Sequence, residues 1–169
     1  MDLRSVQKPL KEKYRNDPNS SLITLKASGA QTGFPIACSI EVGEKVIAAQ
    51  AHPGVGGPGT AACSGDLLLG ALAACAQLTC QLVATAMGIP FEEIKVDVKG
   101  EMDLRGTLGI SKEVPVGFQD IHTVFAIKAP DATPEQLAAL KEKTEQYCVV
   151  MQTLVSPPQM RTTWLTGND

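Results

Sequence analysis

Aromatic side chains are scarce in this sequence, at 4% of 169 residues. Its core must therefore come from Leu, Val, Ile and many Ala, and broad platforms for stacking nucleobases are excluded. Positive charge is not in surplus either. The formal balance of −3 argues against a nucleic-acid partner, because affinity for phosphates comes from clustered Lys and Arg. The one basic cluster, Lys8, Lys11, Lys13 and Arg15, is interrupted by Glu12 and followed by Asp17, so it reads as a solvated N-terminal arm or helix. The opening segment MDLRSVQKPLKEKYRNDP carries no apolar run, and no secretory leader is expected. No CxxC pair occurs, and the two histidines, His52 and His122, stand alone. A structural zinc site thus lacks its ligand spacing, and neither a metal nor another cofactor is expected. Five cysteines make an odd count without a leader, which predicts reduced thiols in the cytoplasm rather than a disulfide framework.

Charge is also missing from Leu67 to Met87, a stretch long enough to cross a bilayer. Gln77, Thr79, Gln81 and Thr85 lie within it, Ala is as frequent as Leu, and its flanks are Asp66 and the pair Glu92, Glu93 rather than basic anchors. A helix apolar nearly all round that still carries amides is expected in a core, not in a membrane. Ser64 is the expected N-cap, with Asp66 complementing the dipole in the first turn, and Gly88 with Pro90 ends the helix.

The remaining punctuation divides the chain into an arm over residues 1–19 and one domain over residues 20–169. Ser21 to Ala27 (SLITLKA) alternates with the period of a half-buried strand. Phe34 to Val42 and Glu44 to Ala51 form a hairpin around Gly43. His52 to Thr60 is too rich in Gly and Pro for regular structure. Its Gly54, Gly56 and Gly59 match the GxGxxG spacing, but Pro58 removes an amide, the helix starts late, and no βαβ order follows, so a turn-rich loop or lid is the better reading. Glu93 to Met102 and Phe118 to Ala129 alternate as two strands with one wet face, joined by a less regular connection over Arg105 to Gly117. Thr133, Pro134 and Gln136 start a helix with a capping box, whose Leu137, Leu140, Thr144 and Tyr147 share a face. It should falter near Cys148, and Met160 to Leu165 closes the chain as a final strand. Strands, long helix, strands, helix and strand in that order specify an α+β fold.

Among the thiols, Cys75 sits mid-helix, where a cysteine is ordinarily a small hydrophobe. Cys80 falls on another face of the same helix. Cys63 lies beside the helix start, where amides and dipole lower a thiol pKa. Cys148 falls at the break between the capped helix and the pair Val149, Val150, a position suited to the N-terminus of a further short helix.

Three segments, CSGDLLLGALAACAQLTCQLVATAMGIP, IKVDVKGEMD and KAPDATPEQLAALKEKTEQYCVVMQTL, together resemble the OsmC/Ohr family of osmotically inducible and organic-hydroperoxide-resistance proteins. The resemblance covers Ser64 to Leu154, with the N-terminal hairpins in outline only and the arm before Asp17 not at all. It implies antiparallel sheets packed on a long central helix in an intertwined homodimer, with each active site near the subunit interface. It also implies a peroxidase in which the Cys75 thiolate attacks a hydroperoxide to give a sulfenic acid, Cys148 condenses with it to a disulfide, and a dithiol donor reduces that bond. The chain departs from the family at two places. The family's catalytic carboxylate falls at Gly65, with Asp66 adjacent. The arginine expected in the N-terminal strand region is missing, since Arg4, Arg15, Arg105 and Arg161 are the only arginines. Arg15, reaching over from the arm of either subunit, is the candidate substitute. The alternative is a family-like dimer without peroxidase chemistry that binds a small apolar or thiol-reactive ligand at its interface.

Overall fold

The computed structural model describes residues 2–33 and 36–167. Helix α1 (Leu3–Asn16) starts at Asp2, whose carboxylate accepts from the Arg4 and Ser5 amides at 3.1 and 3.2 Å. It buries no residue, and its N-terminal end is held to the body by the Arg4 guanidinium donating to the Ala86 carbonyl at 2.8 Å.

Strands β1 (Ala27–Gly33), β2 (Ala37–Val42) and β3 (Lys45–Gln50) form an antiparallel sheet in that order. The β2–β3 hairpin closes as expected, with Val42 opposite Lys45 and Gly43 at φ 58 in the first loop position. The first strand differs from the expectation over Ser21 to Ala27. The ladder against β2 begins only at Ala27, and the apolar alternation of Leu22, Ile23 and Leu25 stands outside it, each residue more than three-quarters exposed. Those side chains have no partner strand within their own chain, so the small polar run ASGAQTG supplies the pairing instead. The strand expected from Phe34 starts at Ala37, and positions 34–35 lie outside the described residues.

The glycine-rich loop folds back on itself. Val55 and Gly57 donate to the His52 carbonyl at 2.9 and 3.0 Å, and Gly56 donates to the Pro53 carbonyl at 3.0 Å. Its amides are consumed internally rather than presented to a phosphate. Gly57 is required there, because a Cβ would collide with the Ala51 carbonyl.

Helix α2 (Ser64–Met87) is the centre of the fold. Its N-cap is Cys63, not the expected Ser64: the Asp66 carboxylate reaches back to the Cys63 amide at 2.9 Å and closes the first turn one residue earlier. Gly88 ends the helix in the left-handed conformation at φ 70. By length and composition α2 would span a membrane, yet Leu72, Ala76, Cys80 and Ala84, four apart, form a buried stripe inside this chain. Its other side leaves Leu78 and Leu82 exposed, and Leu68, in line with the stripe one turn before Leu72, is partly exposed near the helix start.

Against the buried stripe lie strands β4 (Glu93–Glu101) and β5 (Asp120–Lys128), antiparallel from Glu93 opposite Lys128 to Glu101 opposite Asp120. Ile94, Val96, Val98, Ile121, Phe125 and Ile127 turn inward as the alternation requires. A short helix α3 (Leu104–Thr107) opens the connection between them. Helix α4 (Pro134–Tyr147) has the Thr133–Gln136 capping box in full, with the Gln136 amide donating to Thr133 Oγ1 at 3.2 Å and Thr133 N–H donating to Gln136 Oε1 at 2.9 Å. Of its expected face only Leu140 and Thr144 are buried, and Leu137 and Tyr147 reach solvent. The chain breaks at Cys148 and resumes as helix α5 (Val149–Val155). The final strand expected over Met160 to Leu165 does not form among the described residues: 157–166 are unpaired, with Met160, Trp164 and Leu165 exposed. Like residues 22–26, this segment has apolar side chains and pairs with no strand among the described residues. The architecture is α+β, as the order of elements implies.

Candidate active site

Cys75 occupies the edge of the buried stripe of α2, half-buried, one turn beyond Leu72. Its sulfur faces the start of α5, where the Val150 amide donates to Sγ at 3.5 Å, and Thr79 Oγ1, one turn further along α2, lies at 4.0 Å. Cys148 is fully buried in the cluster with Leu72 and Ala76 against which Cys75 packs, and the two thiols are near enough to shift each other's ionisation. The break between α4 and α5 produces this meeting. Cys148 adopts an extended conformation at φ −72 and ψ 103, its amide donating back to Thr144 and its carbonyl accepting from Gln152. The two helices thus share one residue as terminus, and the thiol projects sideways toward α2.

The two thiols are biased in opposite directions. Burial raises the Cys75 pKa, but donations from the Val150 amide, the Cys148 thiol, Thr79 and the Val149 amide outweigh it and leave the group below the ordinary thiol value. Burial also raises Cys148. The Met151 and Val150 amides pull it down less than desolvation and the neighbouring Cys75 push it up. The pair is arranged as an acidic thiol facing a reluctant one.

The supporting residues lie elsewhere in the protomer. Asp66 is committed to the α2 terminus, nine positions before Cys75 and thus about 13 Å away along the helix axis. Its pKa is lowered, first by the Cys63 backbone amide. Arg15 is exposed in the last turn of α1 and is not among the groups touching Cys75. Among the described residues the ion pairs are Lys95–Asp97, Arg105–Asp103 and Lys128–Glu93, none of them at the thiols. The amides of Val149 and Val150 take the place of a cation. Cys80 is buried beneath α4, where desolvation raises its pKa with a small offset from Thr144. Cys38 lies on β2 opposite Gln31 and Ala49, and Cys63 caps α2.

Two cavities flank α2. One of about 440 Å³ is lined by Leu72, Ile121 and Met151, which also pack around the thiol pair, together with Leu154 and Val155. The other, of about 960 Å³, lies at the α2 N-terminus between His52, Cys63, Asp66, Leu68, Met102 and Leu104. Phe118 borders both. Its ring rests on two glycines: a Cβ on Gly65 would lie 3.3 Å from Phe118 Cζ, and one on Gly100 would lie 2.6 Å from Cε1. Residues that sequence reasoning missed are therefore Val150, Thr79 and Phe118. Thr79 was findable, four positions after Cys75 on one helix. Val150 acts through its backbone and leaves no side-chain signal, and Phe118 reads as the first residue of the strand expected over Phe118 to Ala129, whereas β5 begins only at Asp120 and leaves the ring in the connection.

The family model described as OsmC-like protein matches residues 57–163, and the chain belongs to that family. No curated protein matches the sequence. Among solved structures, the chain is similar to an OsmC-like protein from Mycoplasma pneumoniae, with a TM-score of 0.67 and 18% identity over 80% of this chain and 89% of that one. It is also similar to an organic hydroperoxide resistance protein from Elizabethkingia anophelis, with a TM-score of 0.59 and 21% identity over 81% and 91% of the two chains. A third similar structure is the organic hydroperoxide resistance protein OhrB of Bacillus subtilis, with a TM-score of 0.51 and 19% identity over 81% and 94%. At these identities the likeness establishes the fold.

Proposed function

We propose that this chain is a cytoplasmic thiol peroxidase that reduces organic hydroperoxides or hydrogen peroxide. The observation that supports it most is the donation of the Val150 amide to Cys75 Sγ with the Cys148 thiol alongside. The Cys75 thiolate attacks one peroxide oxygen; the O–O bond breaks, the leaving alkoxide takes up a proton as the alcohol, and Cys75 becomes a sulfenic acid. The Cys148 sulfur then forms the S–S bond as the sulfenic oxygen leaves with two protons as water. A dithiol donor restores both thiols by exchange, ending as its own disulfide. The pKa ordering fits these roles, since the acidic thiol attacks and the reluctant one stays protonated until a sulfenic acid is next to it. Two of the structural neighbours are named as organic hydroperoxide resistance proteins, which agrees with this substrate class.

The working unit is an intertwined homodimer, with residues 1–19 as an appended arm. Leu22, Ile23 and Leu25, the Leu78–Leu82 side of α2, and Met160, Trp164 and Leu165 are too apolar to remain in water, and a second copy covers them. Light scattering that returned the mass of one chain would exclude the dimer. Treatment of the reduced protein with one equivalent of peroxide should give a Cys75–Cys148 disulfide by peptide mass spectrometry. Formation of sulfonic acid alone, or equal peroxide consumption by Cys75→Ser, would overturn the reading.

A second reading, a dimer that binds an apolar or thiol-reactive ligand without turnover, is favoured by Gly65 and by the absence of a cation among the groups touching Cys75. It requires a Cys75 pKa close to about 8.5, that of a free thiol. Titration with a thiol reagent across pH separates the two.

A further inference from the structure

The two cavities share a single lining residue, Phe118. Leu72, Ile121 and Met151 of the smaller one also belong to the cluster that packs the thiols, so it is the cavity nearer Cys75 and the side from which a reacting molecule approaches, although neither sulfur lines its wall. The larger has a mainly apolar wall of Leu68, Leu69, Met102 and Leu104, and at about 960 Å³ it falls in the range of small-molecule sites.

The ring is fixed rather than loosely placed. Gly65 on α2 and Gly100 on β4 leave no side chain beneath it, and a methyl group at Gly100 would also approach Leu69 Cδ2 to 3.0 Å. The next residue is tied to the sheet, with the Gln119 amide donating to the Glu101 carbonyl at 2.8 Å. The carboxylate that the family resemblance would put at position 65 is therefore replaced by an aromatic wall seated on a glycine.

We propose that Phe118 is a specificity-determining residue that limits substrate size, confining the wild-type protein to compact hydroperoxides that fit the compartment of about 440 Å³. The larger cavity is an apolar compartment of acyl-chain size that the ring keeps closed to a molecule engaged at Cys75. This rests on the peroxidase reading above. The ring touches neither thiol, so its removal changes which peroxides arrive rather than the chemistry at sulfur.

The test compares cumene hydroperoxide with linoleic acid hydroperoxide on wild type, Phe118→Leu and Phe118→Ala. The ratio of kcat/KM for the long substrate over the compact one should rise about tenfold or more in both variants, the scale of discrimination that pocket shape supplies. An unchanged ratio overturns the proposal. Because Phe118→Ala removes much packing, Phe118→Leu decides the matter if the alanine variant does not fold. A second measurement needs no turnover: cis-parinaric acid, an 18-carbon fluorescent acid, should bind Phe118→Leu with clearly higher affinity than wild type. Equal affinity overturns the size limit. If wild type reduces neither hydroperoxide, the peroxidase reading fails, and the parinaric acid comparison still decides whether Phe118 divides the groove.

Discussion

The Val150 amide donates to Cys75 Sγ across 75 positions of sequence. A backbone N–H at the first turn of α5 thereby faces a thiol whose pKa the fold lowers, and the thiol of Cys148 stands at the cap of that same turn.

Cys148→Ser should leave the first oxidation intact and block its resolution. An intramolecular thiol in good alignment acts at an effective concentration on the order of 10⁵ M or more, so steady-state turnover with a dithiol donor should fall by several orders of magnitude. Dimedone labelling of Cys75 after one equivalent of peroxide should be strong in Cys148→Ser and weak in wild type.

The pH dependence follows from the direction of the Cys75 shift. Burial opposes the thiolate, but the hydrogen bonds from Val150, Cys148, Thr79 and Val149 prevail and lower the pKa. Reactivity should therefore reach its half-maximum at a pH below that of an ordinary thiol, and decline as pH falls through that midpoint. Thr79→Val should move the midpoint upward and slow the reaction at neutral pH by less than about tenfold, the scale of one hydrogen bond. Iodoacetamide rates measured across pH give both quantities, and an unmoved midpoint would assign Thr79 to packing alone.

Asp66 offers a separation of structure from chemistry. Asp66→Ala should cost about 1 kcal/mol of stability through loss of the reciprocal cap, readable in urea melts. It should leave the Cys75 alkylation midpoint where it was. The Asp66 pKa is lowered by the Cys63 amide, so the wild-type advantage is fully present above the ordinary carboxylate range and disappears as acid protonates the group in the fold. A Cys75 midpoint that rises in Asp66→Ala would instead place this carboxylate in the site of a neighbouring subunit.

Gly65 and Phe118 should couple. In a helix, Gly to Ala gains up to about 1 kcal/mol, but at position 65 the new methyl group meets Phe118 Cζ at 3.3 Å. Gly65→Ala alone is expected to show little or no gain, and the gain should appear in a Phe118→Leu background. A coupling of about 0.5 kcal/mol or more in the double-mutant cycle is the expected result, and strict additivity would separate the two positions.

Much of the scaffold was legible because local signals and tertiary contacts agreed. The capping box at Thr133, the alternation of Ile94, Val96 and Val98, and the uncharged run ended by Gly88 each specify their element before any partner is considered. The misreadings fall where the partner decides. Leu22 to Leu25 carries a strand's alternation but pairs with no strand among the described residues, whereas Ala27 to Gly33 carries none and pairs with β2. Met160 to Leu165 repeats the first case. At the site, residue types announced Cys75 and Cys148 as candidates, and the family resemblance joined them. Neither source could supply the Val150 amide, which every residue but proline possesses, or the aromatic wall over Gly65, which depends on a loop meeting a helix.

The interruption at Cys148 has a further meaning. Had α4 run on into α5 as one rod, Leu140 and Thr144 would still fill the interior and the sheets would still close over α2. Yet the residue at that junction would point along the rod's own surface, and its amides would be spent on the preceding turn. The flaw in the helix is what brings two core cysteines together, so sequence changes that perfect the helix should part the thiols without unfolding the protein.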